Sequence, residues 1–334
     1  MPGFGSSIPL QHREFARVAL LVDGAQSKPA IVGQSAAWRE ALKSATRVAP
    51  LDTAVCLQGE SGTGKEVLAR FIHRNSSRFR GPFVAINCAA LPEHLLESEL
   101  FGFERGAFTN AHQAKPGQFE LAAGGVLLLD EIAEMTPPAQ AKLLRVLQEH
   151  ELQRLGGTRS VKTDVRVVVA TNQDLHEAVS RGAFRKDLYY RVNVFEIRVP
   201  SLRERREDIL PFAHTFLQEF GNALGSAPLD MTAEAVEALL THTWPGNVRE
   251  LRNVIERATI VCDGGVISKS DLALAPSCVR SQEILNLSHL EQHAIERAVR
   301  DAGGNRSRAA RRLGISRTQL YGRLRKYGFE GVGR

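Results

Sequence analysis

The chain is poor in cysteine and has no apolar run long enough to cross a membrane. Its four cysteines, Cys56, Cys88, Cys262 and Cys278, are scattered without metal-ligand spacing. They read as reduced thiols, which excludes a disulfide framework and a zinc site. No stretch approaches the ~18 apolar residues of a transmembrane helix. The opening MPGFGSSIPLQHREF lacks the charged-then-apolar layout of a signal peptide. These absences point to the cytoplasm and to no membrane partner. Aromatic residues are also few, at 6%, beside 43% hydrophobic and 24% charged residues, the profile of a globular protein. A length of 334 residues favours two or three domains at roughly 100–200 residues each. There is no internal repeat.

Excess charge is absent from most of the chain as well. The net charge is +6. Between Arg280 and Arg334 there are 12 Lys and Arg against 5 Asp and Glu, a balance of +7, so the other 279 residues sum to −1. The basic character therefore belongs to the C-terminal segment, and a basic segment suits a polyanion.

Residues 1–30 are short and mixed, too few for a regulatory domain. From 31 to 199 apolar strands alternate with helical stretches. The strand candidates are Ala54–Gln58, Phe83–Asn87, Val126–Asp130 and Val165–Thr171, each apolar enough to be buried on both faces. That alternation is how a parallel α/β sheet reads. Beyond Pro200, helical patterns over Arg206–Phe220, Ala233–Leu240 and Asn247–Val261 predict a small all-α domain over 200–265. Residues 266–286 read as a linker, and a helical cluster at 287–334 ends the chain.

The first strand runs directly into Gly59-Glu60-Ser61-Gly62-Thr63-Gly64-Lys65, and a helix follows over Glu66–His73. Strand, glycine-rich loop and helix together make a credible phosphate site. The glycines let backbone amides turn inward, the helix adds its positive end, and Lys65 reaches the β- and γ-phosphates. Glu66 stands where the general motif has Ser or Thr, so the usual Mg²⁺ hydroxyl is missing. Val126–Leu129 then ends in Asp130-Glu131. Asp130 is the residue expected to hold Mg²⁺ through water, and Glu131 to polarise the attacking water of ATP hydrolysis. Thr171-Asn172 ends another strand and could bind the γ-phosphate or the lytic water, or only cap a turn. Asn87, in the same layer, could hold Glu131 in an idle position.

These residues resemble a known family, the bacterial enhancer-binding activators of sigma-54 RNA polymerase, a branch of the AAA+ ATPases. The resemblance runs from about Ile31 to Phe329. It rests on GESGTGKE, which includes Glu66, and on NCAAL (87–91), GGVLLLDEI (124–132), ATN (170–172), FRKDLYYR (184–191) and WPGNVREL (244–251). The resemblance implies an AAA+ sheet with a helical lid. It implies that Arg185 and Arg191 are arginine fingers for a neighbouring subunit, in an assembly that reaches a hexameric ring. It makes Arg249 a lid arginine contacting nucleotide in cis, and Asn87 the switch for the catalytic glutamate. It also implies that Gly106-Ala107-Phe108-Thr109-Asn110-Ala111 engages sigma-54, supported by a second loop near Arg154-Leu155-Gly156-Gly157. Asn110 departs from the family's Gly at that position. Asn tolerates left-handed backbone angles better than most residues.

The last two helices are expected at Ser307–Leu313 and Arg317–Tyr327, with Ser307 and Ser316 as caps and Gly314 in the turn. That is a helix-turn-helix, similar to the Fis-type domain of the same activators. The second helix would enter the major groove of double-stranded DNA as part of a dimer. Arg317, Thr318, Gln319, Tyr321 and Arg323 are its candidates for base or phosphate contact. Arg306, Arg308, Arg311, Arg312, Arg325 and Lys326 would supply phosphate affinity. The function expected is a transcription activator that remodels the sigma-54 polymerase closed complex. A DNA-binding regulator that no longer uses sigma-54, and a remodeller of another protein, remain as alternatives.

Overall fold

The computed structural model describes residues 32–109, 111–224, 230–262, 265–274, 295, 298–299, 302 and 305–326. The chain divides into two compact units, Met1–Ala275 and Pro276–Arg334.

The first unit is built on a five-stranded parallel sheet. Its strands are β1 (Val55–Gln58), β2 (Phe83–Asn87), β3 (Val126–Asp130), β6 (Arg166–Thr171) and β7 (Phe195–Arg198), in the order β2-β3-β6-β1-β7. A hairpin of β4 (Glu151–Gln153) and β5 (Ser160–Lys162) stands apart. Side chains alternate between two cores, as strand geometry requires. Val55, Leu57, Val126, Leu128, Val168 and Ala170 pack against α1 (Ala36–Val48) and α2 (Lys65–Arg74). Cys56, Leu127, Leu129, Val167 and Val169 face the other way. There they meet α3 (Glu93–Phe101), α4 (Gln118–Leu121), α5 (Pro137–Glu149), α6 (Leu175–Ser180) and α7 (Lys186–Val192). Both faces are covered, which explains why these strands read as unbroken apolar runs. The four expected strands are present within a residue of their bounds. β7 was not anticipated, because Phe195-Glu196-Ile197-Arg198 alternates like an edge strand. Cys56 and Cys88 lie buried, and burial pushes both thiols up to about 12, so neither is a nucleophile at neutral pH.

Register brings the functional ends together. Gln58 pairs with Thr171 and Asn87 with Asp130, so the loops leaving four strands meet at one edge of the sheet. This is where ligands bind in open α/β sheets.

The lid follows two short 3₁₀ turns, Leu202–Glu204 and Arg206–Asp208. It contains α8 (Ile209–Leu224), α9 (Ala233–Thr241), α10 (Asn247–Val261) and α11 (Lys269–Leu272), plus a short parallel pair, β8 (Asp230–Met231) and β9 (Val266–Ile267). Trp244 fills its core, fully buried, and its indole donates to the Leu239 carbonyl at 2.9 Å. The expected linker overlaps this lid. Ile267 and Leu272 are buried in the same core, so residues 266–272 belong to the lid, a pairing too short to show as periodicity.

In the second unit, α12 (Arg306–Arg312) and α13 (Arg317–Lys326) pack through Ala309, Ala310, Leu320 and Leu324. Gly314 makes the turn with φ 67°. Ser316 caps α13, accepting from the Gln319 amide at 3.2 Å. The cap of α12 is Asn305 and not Ser307: its Oδ1 accepts from the amides of Ser307 and Arg308, each at 3.1 Å. Asn is as good a cap as Ser and stands one residue before the first helical turn. Tyr327 lies outside the described residues.

Candidate functional site

The loop from Gly59 to Lys65 leaves β1 and turns sharply into α2. Gly64 has φ 102°, a left-handed conformation that side chains disfavour, at the position preceding the helix. Gly62 has φ 76°, and a Cβ there would collide with the Gly246 carbonyl. Among the described residues, the amides of Gly62, Gly64, Lys65 and Glu66 make no loop or turn hydrogen bond. They and the helix end form a cradle for an anion. Thr63 is buried, and its hydroxyl donates to the Glu60 carbonyl at 2.8 Å, bracing the loop. Lys65 is 6% exposed. Its ammonium donates to the Gly59 carbonyl at 2.8 Å and lies 3.4 Å from Glu131 Oε1. Glu66 points away, pairing with Arg70 at 2.7 Å on the exposed side of α2.

The carboxylates sit at the end of β3. Glu131 has φ 52°, a strained setting for a non-glycine residue that turns its side chain back toward the loop. Its Oε1 faces Lys65, and its Oε2 accepts from the Asn172 amide at 3.0 Å. Asn172 thus meets Glu131 through its backbone. Thr171 is fully buried, and its hydroxyl accepts from the Gln173 amide at 3.0 Å, which is the turn-capping role. Asn87 is not on Glu131. Its Oδ1 accepts from the Ala89 amide at 2.8 Å, a local turn that competes with any reach across the strands.

Burial pushes the Asp130 carboxyl above its ordinary value, against the pull of Lys65, with Glu131 adding repulsion. A desolvated carboxylate with no ion-pair partner among the described residues fits a site for Mg²⁺, which would restore its charge. An acid whose folded value lies above its unfolded one is penalised once pH passes the unfolded value. Ionised Asp130 therefore costs the ligand-free fold stability at neutral pH. Asp130→Asn is expected to raise the Tm of nucleotide-free protein at pH 7. The gain should vanish as pH falls below the ordinary Asp value of about 3.9. Thermal melts across pH check this, and a lowered Tm at pH 7 would refute it.

The lid closes one side of the loop. Arg203 pairs with Glu60, whose Oε2 also accepts from Asn247 Nδ2 at 3.1 Å. Asn247 is fully buried, donates to the Ser61 carbonyl at 3.0 Å and accepts from the Leu202 amide at 2.7 Å. The Val248 amide donates to the Gly62 carbonyl at 3.0 Å. Arg249 Nη1 donates to Ser61 Oγ at 3.0 Å, so the lid arginine meets the loop within one chain. Arg203 and Asn247 were not singled out from the sequence. The positive φ of Asn247 at a helix start, 53°, is the feature that marks it, and it is visible only in the fold.

Arg185 is the residue that precedes α7, and Arg191 lies in its last turn. Arg185 pairs with Asp187 at 2.7 Å, and Arg191 Nη2 donates to the Leu147 carbonyl at 2.8 Å. Neither bonds to residues 59–66. Beside them Tyr190 is 66% exposed and Val194 58%.

Residues 104–109 turn tightly and close on Ala111. The Gly106 amide donates to the Ala111 carbonyl at 2.8 Å, and the Ala111 amide to the Phe108 carbonyl at 2.9 Å. Phe108 is 43% exposed, with its ring 4.8 Å from that of Phe103. Asn110 lies outside the described residues. The second loop contacts the first. The Glu104 amide donates to the Leu155 carbonyl at 3.0 Å, Gly156 abuts Ala107, and Arg154 joins Glu104 at 3.1 Å to Glu120 at 2.7 Å.

In the second unit Arg317, Thr318, Gln319 and Tyr321 are exposed along α13, and Arg323 is half-buried. Gln319 Oε1 accepts from the Ser316 amide at 3.0 Å. Arg306 and Arg317 flank the Tyr321 ring at 5.1 and 5.8 Å, and their hydrogen bonds, Arg317's first, pull its phenol below the usual value.

Comparison with known proteins matches all of these parts. The model of the sigma-54 interaction domain matches residues 31–198, that of an AAA+ ATPase lid domain residues 203–284, and that of the Fis family of bacterial regulatory proteins residues 287–327. The transcriptional regulatory protein ZraR of Klebsiella oxytoca is 48% identical over 301 residues, covering 88% of this chain and 68% of that protein. The chain belongs to the sigma-54 enhancer-binding activators. The regulatory protein AtoC of Escherichia coli K12 is 45% identical over 317 residues, covering 90% of this chain and 68% of its own. Crystal structures of NtrX from Brucella abortus in complex with ADP and with ATP are similar to it, with TM-scores of 0.69 and 0.68. They are 36% and 37% identical, and the matches cover 89% of this chain and 70% and 69% of theirs. The activator is thus an AAA+ ATPase with a DNA-binding helix-turn-helix.

Proposed function

We propose that the protein binds DNA upstream of sigma-54 promoters, assembles into a ring and uses ATP hydrolysis to convert the closed polymerase complex into the open one. The cradle at Gly62–Glu66 and Lys65 would hold the β- and γ-phosphates. Asp130 would hold Mg²⁺ through water, where the ion neutralises charge on the phosphate oxygens. Glu131 would orient and deprotonate the lytic water, steadied by the Asn172 amide and Lys65. Arg249 would sense nucleotide in cis. Arg185 and Arg191 would supply guanidinium charge to a neighbour's γ-phosphate. Their partners, Asp187 and the Leu147 carbonyl rather than their own loop, and the exposed Tyr190 and Val194 beside them, support use in trans. No helix among the described residues is long and apolar enough to cross a membrane, in keeping with a cytoplasmic regulator.

The observation that carries the sigma-54 reading is Phe108. A ring left 43% exposed at the tip of a turn, and braced from below by Arg154 and Leu155, suits a contact surface better than a solvent loop. Phe108→Ala is expected to hydrolyse ATP normally yet fail to capture purified sigma-54. Capture by the variant at wild-type level would remove Phe108 from the contact, whereas failure of wild type itself to capture sigma-54 would favour the second reading, a regulator in which Asn110 has ended this contact. In the DNA-binding unit, α13 would lie in the major groove with Arg317, Thr318, Gln319, Tyr321 and Arg323 toward the duplex.

A further inference from the structure

Three consecutive carbonyls of the phosphate loop are held from the lid side. Ser61 O accepts from Asn247 Nδ2 at 3.0 Å, Gly62 O from the Val248 amide at 3.0 Å, and Thr63 O from Arg205 Nη2 at 2.6 Å. A planar trans peptide sets its C=O and N–H on opposite sides. A donor that holds the Thr63 carbonyl outward therefore turns the Gly64 amide inward, toward the cradle.

Arg205 is unusual for so modest a bond. It is 1% exposed, between the two 3₁₀ turns that open the lid. Its guanidinium lies over the Trp38 ring at 4.7 Å and the Phe212 ring at 5.6 Å. Nε and Nη1 have no hydrogen-bond partner among the described residues. The nearby carboxylate, Asp208, accepts instead from the Gln34 amide at 2.6 Å, the Ser35 amide at 2.9 Å and the Ser35 hydroxyl at 2.7 Å. Burial pulls Arg205 down to about 10, still charged at neutral pH. Burying a charge with two idle donors is costly for a fold that could place a Leu or Met there. The contact that Leu or Met would lose is the one to Thr63.

We propose that Arg205 is a positioning residue: it fixes the Thr63–Gly64 peptide so that the Gly64 amide faces the phosphates, and so ties the lid entrance and α1 to nucleotide affinity. This rests on reading residues 59–66 as the phosphate site. Orientation of the loop then depends on the stack Trp38–Arg205–Phe212, which joins α1 to α8.

The test is ADP binding by calorimetry and steady-state ATP hydrolysis for wild type, Arg205→Met and Arg205→Lys, with circular dichroism and thermal melts. Met keeps the apolar packing and removes the donor. Arg205→Met is expected to raise the ADP Kd and the ATP KM about tenfold each, equivalent to about 1.4 kcal/mol, with much less change in kcat. Arg205→Lys retains a donor and should recover part of that loss. A folded Arg205→Met protein with a lower Tm but unchanged Kd and KM would overturn the proposal and leave Arg205 a packing residue. If Arg205→Met does not fold, Arg205→Gln, polar but too short to reach Thr63, replaces it with the same expected and overturning results. Failure of wild type to bind ADP would instead strike at the nucleotide site itself.

Discussion

Glu131→Gln is expected to cut ATP turnover by about 10²–10⁴-fold, the usual worth of a positioned general base, while ADP affinity stays near that of wild type. Glutamine keeps the shape of the side chain and can still accept from the Asn172 amide and from Lys65. The strained turn at φ 52° should therefore survive. What is lost is the basic oxygen. Phosphate release in steady state, beside an ADP titration, separates the two effects. Lost ADP binding would make Glu131 a structural partner of Lys65, and unchanged turnover would remove it from the chemistry.

Arg185→Ala and Arg191→Ala are each expected to lower turnover by about 10³-fold or more, the range found for arginine fingers, with nucleotide binding retained. Neither side chain bonds to its own phosphate loop, so neither should be needed to hold ADP. In the single chain, Arg185 is neutralised by Asp187 and Arg191 is held by the Leu147 carbonyl. Both partners are exposed or weak enough to be exchanged for a phosphate. The decisive form of the experiment mixes two inactive proteins. Arg185→Ala subunits keep Glu131, and Glu131→Gln subunits keep Arg185. If the arginine acts across an interface, mixing restores part of the activity. If it acts within one chain, the mixture stays inactive.

Much of this was legible in the sequence because its signals are local. Four strands are apolar on both faces and bounded by charged or glycine-rich turns, so their ends could be placed to within a residue. The phosphate loop needs glycines at fixed positions, and those survive as letters. What escaped was non-local. Arg203, Arg205 and Asn247 reach the loop from more than 130 residues away, and nothing in their neighbourhood marks them as partners of Glu60, Ser61 or Thr63. Asn87 shows a related limit of reading contacts from sequence. Strand register puts it beside Asp130, but a side chain at a strand end can bond to its own turn instead, and it does so with Ala89. The cap of α12 shifted by two residues, from Ser307 to Asn305, because several good caps stand close together there.

The reading of Phe108 as a sigma-54 contact and of the cradle as its motor can be tested together. Purified protein, ATP, sigma-54 polymerase and a supercoiled template bearing an upstream binding site would be mixed and scored for open complexes, with Phe108→Ala as the control. The expected result is open complexes that require ATP hydrolysis, appear with wild type and are absent with Phe108→Ala. ATP turnover by wild type without any open complex would contradict the account.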